Sequence, residues 1–348
     1  VVGRSHRRRR HRRVGGARGV TREVALAALI AAMIGAIGAY APVFLAPASL
    51  VGMLNDTAFL FMLALAQMAV ILTRGIDLSV AANLALSGML VAMFGVEFPD
   101  APAVLLLALA ALIGAGLGAI NGALIGALGI PPIVMTLGAL AVFRGMIVVV
   151  GGGDQVNASE MSASFQAFPK LTFLGLNSVF WIAAALALAM HVFLTRSRTG
   201  RGLYALGGNP VAARYCGIDL GPNQALVYTL SGAISGLCGY LWVARYGVAY
   251  SEIASGYELT VIAACVIGGV SIGGGVGAVS GALLGALFLG VIVNALPVMQ
   301  VSPFWQMAVS GVVILGAVAL NARGSGAQAR LILPEARRIG ARRMGAAR

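Results

Sequence analysis

AVLLLALAALIGAGLGAINGALIG, residues 103–126, carries no charged side chain. Its first part, 103–121, rises about 28 Å as a helix, close to the roughly 30 Å hydrocarbon core of a bilayer. Outward from it, nine more apolar stretches of similar character lie at approximately 24–46, 55–73, 79–96, 131–151, 178–195, 222–244, 258–271, 277–296 and 303–321. The chain is 59% hydrophobic and 10% charged, with mean hydropathy +0.94, well above the roughly 45–50% apolar content of soluble domains. The expected fold is therefore all-α: a polytopic transmembrane helical bundle of about ten spans. The eighth stretch is short and runs into GGVSIGGGVG, residues 268–277. That predicts a broken or re-entrant helix, tolerated where protein or a watery cavity surrounds it.

The formal charge of +13 invites a nucleic-acid reading until its placement is examined. Residues 1–23 carry nine arginines and one acid, and residues 321–348 carry seven and one. Basic flanks of apolar spans follow the positive-inside bias, so no nucleic-acid partner is expected and the tails should meet anionic lipid headgroups. The chain thus divides into a basic tail at 1–23, a membrane region at 24–321 and a second basic tail at 322–348. An even number of spans puts both tails on one side, expected to be the cytoplasm. Arg74, Arg196, Arg198, Arg201 and Arg214 then fall on inner connections. Glu97, Asp100, Asp154, Glu160, Glu252 and Glu258, against Lys170 and Arg245, fall on outer ones. The run 24–46 is too long for a signal-peptide core of about 7–15 residues, which favours an uncleaved first span.

Glycines recur every fourth residue at Gly114, Gly118, Gly122 and Gly126, and again at Gly277, Gly281 and Gly285. Lipid tails are as apolar as leucine, so helices in a bilayer associate through close backbone contact, which small residues permit. Packing within one chain is the simpler reading, and a seam between two copies is the other.

Catalytic chemistry is missing from the pattern. A phosphate-binding loop needs a terminal lysine beside Ser or Thr, and Lys170, in FPKL, is the only lysine. There is no GxSxG elbow and no HExxH pair. Cys216, Cys238 and Cys265, with His6, His11 and His191, form no metal-ligand spacing. The chain is expected not to be an enzyme, to bind no metal and to hold no cofactor itself. Intramembrane charges are scarce: Arg144 is internal, and Asp77 lies at a span edge, where it is expected to cap the following helix. That scarcity argues against an ion-coupled carrier and leaves the energy to a partner.

The loop at 196–221 has helix punctuation. Asn209 can cap, Pro210 suits the first helical position, and Gly217 supplies a left-handed terminator after VAARYC. Such a stub, with Val211, Arg214, Tyr215 and Cys216, could dock on a cytoplasmic subunit or rest on headgroups.

Four stretches carry a family resemblance: ILTRGIDLSVAANLALSG (71–88), NGALIGALGIPPIVMTLGALAVFRG (121–145), TGRGLYALGGNPVAARYCGI (199–218) and GYELTVIAACVIGGVSIGGGVGAVSGALLGALFLGVI (256–292). VSPFWQMAVSGVVIL (301–315) fits a last span. In order and spacing they resemble the ribose-type permeases of ATP-binding-cassette (ABC) importers, which also serve rhamnose, xylose and autoinducer-2. Ala81 stands where that pattern has glycine. The resemblance implies a second permease copy or sister subunit, a cytoplasmic ABC ATPase that holds ATP and Mg, and an extracytoplasmic solute-binding protein. It also implies that Asn209, Pro210, Ala213, Arg214, Tyr215 and Gly217 form the ATPase-coupling segment, with Gly75, Asp77, Ser79, Gly268 and Gly269 as structural motif positions.

A sugar hydroxyl stripped of water without a partner costs several kcal/mol in hydrocarbon, so a polar passage is required. Asn83, Ser87, Thr136 and Asn294 are its candidate lining. Other cargoes, branched-chain amino acids or nucleosides, an ion-coupled secondary transporter and a scaffold protein remain the alternatives to monosaccharide import.

Overall fold

The computed structural model describes residues 3–302 together with Trp305, Ala308, Gly311, Val312, Leu315 and Gly316, and of residues 3–21 the backbone alone. The second tail at 322–348 and most of the expected span at 303–321 lie outside the described residues. Among the described residues, eight helices are long and apolar enough to cross a membrane. They are α1 (Gly3–Tyr40, apolar from Arg22), α2 (Pro47–Leu72), α3 (Val80–Glu97), α4 (Ala103–Leu128), α5 (Pro132–Gly151), α7 (Ser178–Arg196), α10 (Leu220–Tyr246) and α12 (Val279–Val298). Short helices fill the connections: α6 (Ala163–Lys170), α8 (Arg198–Gly208) and α9 (Pro210–Tyr215).

The eighth apolar stretch forms the helix α11 (Tyr257–Ile267), eleven residues long. It rises about 16 Å, half a hydrocarbon core. The chain then enters a glycine-rich turn closed on itself, with Ser271 N donating to Val276 O and Gly274 N to Ser271 O, each at 2.9 Å. Prolines move another boundary. The first apolar run stops at Tyr40, a 3-10 turn spans Pro42–Leu45, and α2 starts at Pro47 rather than near 55. Proline lacks an amide hydrogen and suits a first helical position, so each one ends the preceding helix and opens the next.

Helices α2, α3 and α10 form the centre, whereas only 17–22% of the most apolar windows of α1, α4, α5 and α7 is buried. Exposed Val104, Leu112, Val134, Val142, Val149 and Leu188 on these outer helices suit a lipid surround. The α4 glycine stripe is spent inside the chain. Gly114 and Gly118 meet Gly232 and Gly236 of α10, and Gly126 meets Gly221. A Cβ on Gly122 would lie 2.7 Å from the Ala225 Cα, too close for the two backbones to keep their spacing. Likewise Gly281 and Gly285 of α12 press on Gly268 and Ala264 of the α11 segment.

The connections gather at two ends. One end brings together Arg22, Arg74, α8, α9 and the 268–277 turn: Arg22 Nη2 donates to Val266 O at 3.2 Å, and Arg74 reaches Gly207 and Gly208. At the other end the segment 152–177 folds into short strands and α6. Strand β1 (Val156–Asn157) pairs antiparallel with β4 (Val248–Ala249), and β2 (Thr172–Phe173) with β3 (Leu176–Asn177). Most of the loop arginines sit at the first end and most of the loop acids at the second.

Candidate functional site

The end that carries most of the loop arginines presents a projecting knob. Asn209 Oδ1 accepts from Ala212 N at 3.0 Å, which satisfies one of the free amides of the first turn, where Pro210 has no N–H to satisfy. At the other end Ile218 N donates to Ala213 O at 3.1 Å and Gly217 takes a φ of 76°, a left-handed conformation that glycine adopts without Cβ strain. Ala213 is buried on the inner side of α9, while Tyr215 is 90% exposed and Val211 67%. Arg214 Nε stands 4.0 Å from Asp219 Oδ1, both side chains largely in solvent. A groove of about 510 Å³ runs beside the knob, lined by Gly126, Val211, Arg214, Asp219, Leu220 and Gly221.

The knob is tied to the bundle through α8. Leu203 and Leu206 bury one face of that helix. Gly207 fits where any Cβ would overlap Leu72 O and Gly275 N. Arg74, with a φ of 66°, donates Nε–H to Gly207 O at 2.7 Å and Nη2–H to Gly208 O at 3.2 Å. Gly275 N donates to Leu72 O at 3.0 Å, and Tyr204 Oη donates to Gly277 O at 3.1 Å. Burial pushes the Tyr204 phenol upward, so it keeps the proton it donates. Three loops therefore meet: the α2–α3 connection, the GGNP connection, and the turn between α11 and α12. Sequence reading used Arg74 only as an inner-side charge and singled out neither Tyr204 nor Gly275. The signal for Arg74 was its place in TRGID, next to the helix end.

Below this junction the α2–α3 loop enters a buried polar cluster. Asp77 Oδ1 accepts from Ser79 N at 2.9 Å and Ser79 Oγ at 2.6 Å, and Asp77 Oδ2 accepts from Ser231 Oγ at 3.0 Å. Gln67, with its amide oriented to satisfy both groups, donates to Asp77 O and accepts from Asp77 N. Asn121 Nδ2 donates to Ser79 Oγ at 2.9 Å. The expectation that Asp77 caps α3 is corrected: the N-cap residue is Ser79, and Asp77 binds that residue's own amide in an Asx turn. Among the described residues no cation pairs with this carboxylate, so three donors offset its desolvation. Gly75 is required here because a Cβ would stand 2.6 Å from Tyr228 Oη, which donates to Ile76 O at 3.2 Å. Gly268 lies flat against Gly281, and Gly269 beside the Arg22 guanidinium.

The four polar candidates for a passage are placed as follows. Asn83 Nδ2 donates to Gly114 O at 3.1 Å, and Ser87 Oγ to Asn83 Oδ1 at 3.0 Å. Thr136 Oγ1 bridges to Ile76 O and Pro132 O. All three are buried inside one chain and do not line a surface in this conformation: Asn83 ties α3 to α4, Thr136 ties α5 to the α2–α3 loop, and Ser87 supports Asn83 within α3. Asn294 is half-buried and donates to Gly290 O of its own helix. Gln67, Asn121, Ser231 and Tyr228, which complete the cluster, come from three different helices, and no local signal marked them.

At the opposite end an aromatic group links α2, α10 and α11. Phe59 and Trp242 have ring centroids 4.9 Å apart, Trp242 and Tyr246 5.1 Å, and Trp242 and Tyr257 5.4 Å. Arg245 pairs with Asp56 and lies over the Tyr246 ring. Arg144, the internal charge, donates to Ser251 O.

Comparison with known proteins gives a family. Residues 49–318 match the family described as branched-chain amino acid transport system / permease component. The chain is 35% identical over 294 residues to the D-allose transport system permease protein of Escherichia coli (strain K12), covering 84% of this chain and 89% of that one. It is 39% identical over 285 residues to the ribose import permease protein of Bacillus subtilis (strain 168), covering 82% and 88%. The autoinducer 2 import system permease protein of Klebsiella pneumoniae is 34% identical over 302 residues, 87% of each chain. No solved structure matches.

Proposed function

Since this chain belongs to that family of transport-system permease components, we propose that it is the membrane-spanning subunit of an ABC importer that moves a monosaccharide into the cytoplasm. The relatives named for D-allose and ribose support the choice of a sugar. Nucleotide chemistry belongs to a partner: ATP and Mg sit on a cytoplasmic ATPase, and an extracytoplasmic protein delivers the solute. A second copy of the chain, or a sister subunit, completes the passage. The arginine-gathering end faces the cytoplasm, following the positive-inside bias.

One observation carries the reading. The α9 knob is exposed where a partner could grip it, yet Arg74 and Tyr204 bind its supporting segment to two loops that reach the helix core. Docked in a cleft of the ATPase through Val211, Arg214 and Tyr215, α9 would move with that subunit, and the junction would pass the displacement to α2, α3, α11 and α12. The same helices then alternate between two packings, one open outward and one inward. In that cycle Asn83, supported by Ser87, and Thr136 act at contacts between segments, and Asn294, being half-buried, remains the candidate for the passage wall.

The test is reconstitution of this chain with its ATPase and delivery protein, followed by a screen of sugars and branched-chain amino acids for stimulated ATP turnover and uptake. Sugar-dependent turnover is expected. Uptake that persists without ATP and collapses with an ion gradient would instead identify a secondary carrier, and stimulation by branched-chain amino acids alone would change the cargo.

A further inference from the structure

The hairpin β2–β3 turns through two residues, Leu174 and Gly175, with φ of 52° and 80°. Both angles are positive, the geometry of a tight hairpin turn that asparagine or aspartate normally opens because a larger apolar side chain is strained there. Here that place holds a leucine which is 77% exposed, beside Phe173 at 64% and Leu171 at 59%. In water such a tip exposes apolar surface and accepts backbone strain with nothing gained. The hairpin is also held firmly. Trp181 Nε1 donates to Phe173 O at 3.0 Å with the two rings 5.6 Å apart, Ser178 N donates to Leu171 O at 2.8 Å, and Ser178 Oγ to Phe168 O at 2.6 Å. An exposed apolar tip fixed this rigidly is built to meet an apolar phase.

We propose that this hairpin is a lipid wedge that inserts into the outer interface of the bilayer and anchors the outer end of α7. The occupant follows from continuity. Trp181 shares a face of α7 with Leu188 and Val192, seven and eleven residues on, and both are exposed along a span whose window is only 22% buried. The tip extends that lipid-facing stripe beyond the helix start. Tryptophan at the end of a span is the usual marker of the headgroup level. Lys170, exposed at the root of the hairpin, donates to Gln166 Oε1 at 3.2 Å and keeps two further N–H donors for a lipid phosphate. The proposal rests on the chain spanning a membrane and is independent of the cargo.

The test uses the full chain in lipid nanodiscs, with Trp242→Phe and Trp305→Phe removing the distant native tryptophans, while Trp181, which tethers the hairpin, is kept and the emission of this parent is subtracted. Into this background Leu174→Trp, and separately Phe173→Trp, places one tryptophan at the tip, and Leu188→Trp places one in the span as a control. Phosphatidylcholine brominated near the headgroup should reduce the tip emission at least about twofold, and lipid brominated near the chain ends should quench the Leu188→Trp control more than the tip. Tip emission untouched by either bromolipid in both variants, and quenched by aqueous iodide, would overturn the wedge and leave the tip free for a soluble partner. Quenching of the control in the same discs separates that result from a failure of the membrane reading.

Discussion

Arg74, in the left-handed conformation just past the end of α2, donates two hydrogen bonds to the consecutive carbonyl oxygens of Gly207 and Gly208, 133 and 134 positions away in the chain. The pairing ties the GGNP segment that carries the α9 knob to the loop that also holds Asp77.

Arg74→Ala should leave the fold intact and weaken transmission. The donor side chain is exposed, so the two hydrogen bonds contribute about 1 kcal/mol or less each, and loss of the pair should lower coupled uptake several-fold. Arg74→Lys keeps a charge but not the two-pronged reach, and should fall between. Uptake per ATP hydrolysed in proteoliposomes is the measurement, and an unchanged ratio in Arg74→Ala would remove the junction from the coupling route.

Tyr215→Ala and Arg214→Ala should separate coupling from stability. Tyr215 is 90% exposed and the Arg214–Asp219 pair is solvent-bathed, so thermal unfolding in detergent should move by less than about 0.5 kcal/mol. Substrate-stimulated ATP turnover in the assembled transporter should nevertheless drop. Normal turnover in both variants would reject the docking role of α9.

Gly118→Val should destabilise the bundle by about 1–3 kcal/mol or more, because its side chain would occupy the Gly232 backbone of α10. Gly116→Ala, two residues away on a face with nothing within 4 Å, should be neutral or slightly stabilising. Thermal melts of the two proteins side by side decide whether the stripe packs within the chain, since a stripe reserved for a second copy would leave the monomer melt unmoved.

Ser231→Ala removes one of the three donors to the Asp77 carboxylate and should lower stability by about 1–3 kcal/mol, as an unpaired buried acceptor does. Asp77→Ala, which takes the acceptor from all three donors, should be at least as severe. Equal melting of wild type and Asp77→Ala would show that the carboxylate is not held as described.

Much of the architecture was legible because its causes are local. The bilayer demands long apolar helices, so eight spans could be read from long stretches nearly free of charge, and the short α11 from the glycines that follow it. Asn209, Pro210 and Gly217 mark the ends of α9 because capping involves neighbours within a turn. Boundaries shifted where proline punctuation at Pro42 and Pro47 outweighed hydropathy.

What the amino-acid sequence alone determined is the membrane class, the span pattern, the charge asymmetry and the presence of a small-residue face on α4. Tertiary structure decided what those features meet: that the α4 stripe is consumed by α10, that Asn83, Ser87 and Thr136 bond within the chain, and that Asp77 finds Ser231 from 154 positions away. The physical reason is range. Helix formation and capping act within a few residues, whereas backbone contact between glycines, or three donors converging on one carboxylate, exists only after helices far apart in sequence have been brought together.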